Sequence, residues 1–261
     1  MESLLAKFKK NGQVYIDPEE YCSDYAWRIF QEREKAFWKQ KITKTEYHPD
    51  PAANFSPFLV HWNIDPTFFR HKTVMEIGTG PFGFFSGLKK IDPSSLPSTL
   101  ILMDSLMDFY QQFSLFNLMP ESSIRLQGRC EKIPLPDNFF DVILTTNTID
   151  HVGDYQAFLQ EIVRVLRPGG HLLFSVHFVA GWATLIKFLL PLIDKNHPYH
   201  FRVNDVRTML QNSGLRLIRE SIMPMYLEET IPQESGIFRR IMYSVGFRVM
   251  HTFYGVAKTP D

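Results

Sequence analysis

The chain has 261 residues, 44% of them hydrophobic and 21% charged, with 28 Lys and Arg against 28 Asp and Glu. A length of this order suits one large domain or two small ones with room for a full core, and the cancelled charge speaks against a nucleic-acid binder, which needs clustered Lys and Arg. Cys22 and Cys130 are too few for a disulfide framework or a four-ligand zinc site and read as reduced thiols of a cytoplasmic protein.

Met1 to about Lys72 is rich in aromatics and charges, and its first residues lack the apolar core of a signal peptide. The stretch YAWRIFQEREKAFWKQ predicts a helix with Tyr25, Ile29, Phe30, Arg33 and Phe37 on one face. HPDPAANFSP, from His48 to Pro57, reads as a connector that breaks helices. Residues 1–72 are therefore expected to form a helical cap over a main domain at 73–261.

From Thr73 to Phe178 the rhythm changes. VMEI, LILM, DVILTT and HLLFSV are continuous apolar runs, as buried parallel strands are, and they alternate with helix-like segments. That alternation predicts an α/β sheet with helices on both faces. The clearest helix is Asp154 to Leu166, with Asp154 as its cap and Tyr155, Phe158, Leu159, Ile162 and Leu166 as an apolar stripe. Pro168-Gly169-Gly170 is expected to stop it and turn the chain into the next strand.

An apolar insert follows at about 181–200. Its run from Trp182 to Ile193 carries Lys187 and Pro191 and is too short to span a bilayer. A core or lid helix is the favoured reading, with an interfacial patch as the alternative. Asn204 is expected to cap a short helix ending before Gly214. LRLIRESI and VMHTFYGVAK read as closing strands around a second insert, 224–247, long enough for a lid or contact surface.

Chemistry concentrates where strands end. Val74-Met75-Glu76-Ile77-Gly78-Thr79-Gly80-Pro81-Phe82-Gly83 is an apolar strand running through an acid into a glycine turn. Glycines there let backbone approach a ligand closely; alone, the motif is open between nicotinamide, flavin and other nucleosides, or a tight turn with no ligand. LILMDS ends at Asp104, which suits either a helix cap or an acid accepting both ribose hydroxyls, and the glycine turn upstream favours the ribose.

With the block GRCEKIPLPDNFFDVILTTNTIDHVGDYQAFLQEIVRVLRPGGHLLFSVHF, these motifs resemble the class I S-adenosylmethionine-dependent methyltransferases, in particular their small-molecule, type 11-like branch. The resemblance covers about Thr73 to Phe178. It implies a Rossmann-like, seven-stranded, mostly parallel sheet. It also implies that Glu76, Gly78, Thr79 and Gly80 hold the amino-acid part of S-adenosyl-L-methionine, that Asp104 binds the ribose, and that Ser105 or Leu106 lies beside the adenine. Arg129, Cys130 and Glu131 fall where the family usually has Asp followed by a small residue. Arg129 thus replaces an acid that meets the adenine amino group, leaving the backbone of Cys130 or Glu131 to bind the base. Phe82 sits where the family often has a third glycine, and Asn147 matches the position facing the methionine moiety.

A sulfonium already activates its methyl group, so alignment and water exclusion supply most of the acceleration, and an acceptor that must lose a proton gains from a base. His151, oriented by Asp150, is the candidate base, with a positioning role as the alternative. His177, Trp182, His197, Tyr199 and His200 are candidate walls of the acceptor pocket, and no metal is expected. His61 and Trp62 are expected to close over the methionine end. The acceptor is expected to be a small molecule, favoured as a hydroxyl on a sugar or secondary metabolite. No stable membrane insertion is expected, and self-association is left open. Two other classes stay open: a cofactor-binding partner subunit without turnover, and an enzyme acting on lipid-linked substrates.

Overall fold

A computed structural model describes residues 2–19, 25–43, 50–181, 184, 198–224 and 250–261. The apolar runs become strands: β1 (Lys9–Asn11), β2 (Val14–Ile16), β3 (Thr73–Ile77), β4 (Thr99–Asp104), β5 (Ile124–Gln127), β6 (Phe140–Thr146), β7 (Leu166–Val179), β8 (Arg216–Pro224) and β9 (Met250–Lys258). They form one sheet in the order β1-β2-β5-β4-β3-β6-β7-β9-β8. Pairing is parallel from β2 through β7, while β1 and β9 run against their neighbours. The chain leaves β3 towards β4 on one side and returns to β6 on the other, which opens a crevice beyond the carboxyl ends of β3, β4 and β6.

Around the sheet lie α1 (Glu2–Leu5), α2 (Tyr25–Thr43), α3 (Pro51–Trp62), α4 (Phe85–Ile91), α5 (Met107–Tyr110), α6 (Tyr155–Val165) and α7 (Val203–Asn212). Alternation along β3 sends Met75 and Ile77 into one core layer with Phe158, Ile162 and Leu210, and Val74 into the other with Phe55, Trp62 and Phe85. Helices therefore cover both faces, as expected from the sequence.

Four expectations need correction. The sheet has nine strands among the described residues, not seven, because residues 1–72 are not helical throughout. β1 and β2 form a hairpin whose loop is Gly12-Gln13, with Gly12 at φ +56° as the first loop residue, the position a type II′ turn reserves for glycine. The presumed connector is mostly helix α3: Asp50 Oδ1 accepts from the Ala52 amide at 2.9 Å, and Pro51 occupies the first turn, where no N–H is needed. Only Pro57 interrupts its hydrogen bonds. Asn204 does not cap α7; Arg202 holds that position, and its amide donates to Asp205 Oδ2 at 2.8 Å. Finally, β7 begins at Leu166, directly after α6, and Arg167–Gly170 bulge out before regular pairing resumes at His171. Asp154 caps α6 as read, accepting from the amides of Gln156 and Ala157. Trp182, His197, Cys22 and almost all of both inserts lie outside the described residues.

Candidate active site

The tips of β3, β4 and β6 are locked to one another by short contacts. Gly80 N donates to Asp104 Oδ2 at 2.9 Å, and Leu106 N donates to Asp104 Oδ1 at 2.8 Å. Gly78 N donates to the Met103 carbonyl, which fixes the turn after β3 against β4. On the other side a Cβ at Gly78, whose φ is +73°, would fall 2.1 Å from Thr148 Oγ1. Only glycine permits the turn and lets the loop after β6 press against it. Thr79 is buried, with its hydroxyl turned onto the Gly80 carbonyl.

Glu76 leaves β3 on the α3/α4 side and is buried. Its carboxylate accepts from the amides of Phe84 at 2.6 Å and Phe85 at 3.4 Å, where α4 begins. A Cβ at Gly83, φ +69°, would meet it at 3.0 Å. Burial pushes the Glu76 carboxyl up to about 8, against the pull of those two amides and with a further push from Asp104. Burial also raises Asp104, opposed by the Leu106 and Gly80 amides.

Asn147 directly follows β6 and takes a left-handed conformation at φ +49°, uncommon outside glycine. Its amide donates to the Ser175 carbonyl at 3.0 Å and its Oδ1 accepts from Ser175 Oγ at 3.1 Å, so β7 holds the side chain in place. Asp150 is buried and His151 half-buried in the next turn, where the His151 amide donates to the Thr148 carbonyl. His177 is half-buried near the end of β7, and its Nδ1 lies 3.1 Å from Thr252 Oγ1.

At the tip of β5 the side chains are tied to one another and to the loop after β6. Glu131 Oε1 accepts from the Gly153 amide at 2.9 Å and its other oxygen lies 3.8 Å from Arg129 Nε. Burial pushes the Cys130 thiol well up, helped by Glu131, so it is a neutral thiol rather than a nucleophile. Tyr199 hydroxyl donates to the Gly153 carbonyl at 2.6 Å, which ties its segment to the same loop. His200 and Tyr199 also line a groove of about 690 Å³ between α6 and α7, away from the glycine turn. Trp62 is not over the methionine end: it is fully buried, and its indole N–H donates to the Phe174 carbonyl at 3.0 Å. His61 stacks on Tyr254 instead, with ring centroids 4.2 Å apart, and its Nδ1 is 3.3 Å from Ser221 Oγ.

Sequence reasoning missed how α2 meets this site. Trp38 is the nearest side chain to the open side of Gly80 and stands edge-on to Tyr110, Gln31 Nε2 reaches the Ser105 carbonyl at 3.5 Å, and Trp27 covers Arg129. These residues are spaced four and seven apart, one helical face. Phe37 and Arg33, on the face the sequence favoured, are exposed. The signal was present in the spacing of the two tryptophans, but Gln31 and Glu34 between them hid it from a search for apolar periodicity.

A turn of glycines beside a half-buried carboxylate, with a fixed amide side chain opposite, has the makings of a site for a nucleoside bearing an amino-acid tail. Such an acid can accept from ribose hydroxyls, and bare backbone lets a ligand's tail approach closely. Comparison with known proteins points to a class. A profile of the methyltransferase domain matches residues 106–174. The ubiquinone/menaquinone biosynthesis C-methyltransferase UbiE of Pasteurella multocida is 26% identical over 92% of this chain and 91% of its own length. These matches support a class I S-adenosylmethionine-dependent methyltransferase. Solved structures agree on the fold. BH2331 of Bacillus halodurans superposes with a TM-score of 0.60 at 13% identity, over 80% of this chain and all of that one. The phosphoethanolamine N-methyltransferase 2 of Haemonchus contortus, solved with phosphomonomethylethanolamine and S-adenosylhomocysteine, gives 0.59 at 13% identity, over 92% of this chain and 62% of that one. No helix among the described residues is long and apolar enough to cross a membrane.

Proposed function

We propose that this methyltransferase binds S-adenosyl-L-methionine across the tips of β3 and β4 and transfers its methyl group to a small organic molecule bearing an ionisable hydroxyl. The observation that carries the reading is the join of Gly80 N to Asp104 Oδ2 at 2.9 Å, which sets a bare backbone turn beside a half-buried acid on adjacent strands. When bound, the cofactor supplies a sulfonium methyl for in-line displacement. Asp104 would hold the ribose, with Ser105 beside the base. Gly78, Thr79, Gly80 and Glu76 would frame the amino-acid tail. Asn147, held by Ser175, would orient the methionine end. The backbone of Cys130 and Glu131 would border the base.

His151, with Asp150 beside it in sequence, is the base that takes the hydroxyl proton. His177, Tyr199 and His200 from the described residues, and Trp182 and His197 from outside them, belong to the acceptor side. A general base is worth about 10²–10⁴ in rate. Deprotonating an aliphatic hydroxyl leads to O-methylation. Deprotonating a phenol also charges the ring carbons beside it, so the same residues serve C-methylation. The 26% identity to a C-methyltransferase over 92% of the chain favours keeping that second outcome.

The test is turnover with labelled cofactor on a panel of sugars, phenols and quinols, with the methylated atom read by product analysis. His151→Ala should lower kcat by about a hundredfold or more while cofactor affinity stays within twofold. A rise in the acceptor's KM alone would make His151 a positioning residue. Tight cofactor binding with no product on any acceptor would favour a partner subunit.

A further inference from the structure

The face of α2 that carries Trp27, Gln31 and Trp38 meets three strand tips in turn: Arg129 beyond β5, Ser105 beyond β4 and Gly80 beyond β3. Arg129 is the most constrained of these contacts. Its guanidinium carbon lies 4.6 Å from the centre of the Trp27 ring, and its Nε lies 3.8 Å from Glu131 Oε2. Glu131 is in turn fixed by the Gly153 amide. A planar cation stacked on an indole and paired with an anchored carboxylate is pre-organised, and it is a donor only.

The order of the tips says what Arg129 faces. With a tail on the β3 turn and a ribose on Asp104 of β4, the next tip along the sheet is β5, where the nucleobase must lie. The geometry points to Arg129, positioned by Trp27, as the residue that sets the nucleobase preference of this site. This rests on the cofactor reading above. Adenine presents an exocyclic amino group, a donor, beside the N1 acceptor; hypoxanthine presents a carbonyl there, an acceptor, beside an N1–H. A carboxylate at this position accepts from the amino group and rejects the carbonyl, since a site built to accept an N–H penalises a ligand that lacks it. A guanidinium does the reverse: it has nothing to offer the amino group and donates to the carbonyl. Arg129 therefore gives no side-chain selection for adenine, and the site is expected to tolerate hypoxanthine.

Calorimetry with S-adenosylhomocysteine and with its hypoxanthine analogue tests this on the full chain without turnover. The wild type is expected to bind the two within about tenfold of each other, and Arg129→Asp is expected to move the ratio at least tenfold towards adenine. Arg129→Met, which keeps the bulk and removes the donors, is the second variant should Arg129→Asp fail to fold. It should weaken the hypoxanthine ligand several-fold and leave the adenine ligand within twofold. An affinity ratio unchanged in a folded variant overturns the assignment while leaving the cofactor reading intact. Failure of the wild type to bind S-adenosylhomocysteine overturns the cofactor reading and this inference with it.

Discussion

Asp104 and Glu76 sit one strand apart and do different work. Asp104 spends one lone pair of each oxygen on a backbone amide, which aims the remaining pairs outward from the strand tip. Asp104→Asn should weaken S-adenosylhomocysteine binding at least tenfold by calorimetry with an unchanged circular dichroism spectrum, because an amide replaces one acceptor with a donor. Affinity within twofold of wild type would remove the ribose role. Glu76 is a proton reservoir under the glycine turn. Its carboxyl titrates near 8 when folded against an ordinary 4.5, so the folded state holds the extra proton between those values. A raised value stabilises fully below about 4.5 and loses that contribution as pH rises through 8. The wild type should therefore lose stability relative to Glu76→Gln between pH 5 and 8.5, with a slope of up to about 1.4 kcal/mol per pH unit. Parallel Tm profiles for the two proteins over that range would contradict the burial argument. Both acids were legible in the sequence because an acid closing a continuous apolar run is a short-range pattern. Their partners were not, since Phe84 and Phe85 contribute only backbone amides.

Strands β3, β4, β6 and β7 were readable as continuous apolar runs, and α6 as a capped stripe, because each pattern is complete within about ten residues. Proline misled at α3, where Pro51 starts a helix rather than preventing one, and the Gly12-Gln13 turn of the β1–β2 hairpin lies in a region whose aromatics and charges suggested helix. Packing between elements depends on contacts no window contains. Gly255 of β9 illustrates this: a Cβ there would lie 2.2 Å from Phe174 Cε1 of β7, whose ring is fully buried and stacked on Phe253. Gly255→Ala should cost about 1–3 kcal/mol and lower Tm by roughly 5 °C. At α6, Asp154→Ala removes the acceptor of two first-turn amides and should cost about 1 kcal/mol by urea unfolding, with no change in ligand affinity. An effect near zero would mean that water replaces the cap.

Over the whole molecule, the sheet order puts the glycine turn, Asp104 and Asn147 on adjoining tips at one edge of the crevice. A ligand there bridges segments from residue 76 to residue 147, and anything that binds only the folded chain stabilises it by mass action. S-Adenosylhomocysteine at a hundredfold excess over its Kd should add about 2.7 kcal/mol and raise Tm by roughly 5–10 °C. No shift at saturating concentration would mean that the crevice does not take this ligand. The position of α2 was the least legible feature of the site, because a helix that docks through Trp, Gln and Glu carries no sharp apolar stripe to announce its inner face. That position has a kinetic outcome. With α2 touching the tips of β3, β4 and β5, a nucleoside bound there is expected to be the last species to depart in each cycle. Inhibition by it should then be competitive with fresh cofactor at every acceptor concentration, and flux should follow the ratio of the two forms instead of the supply of either.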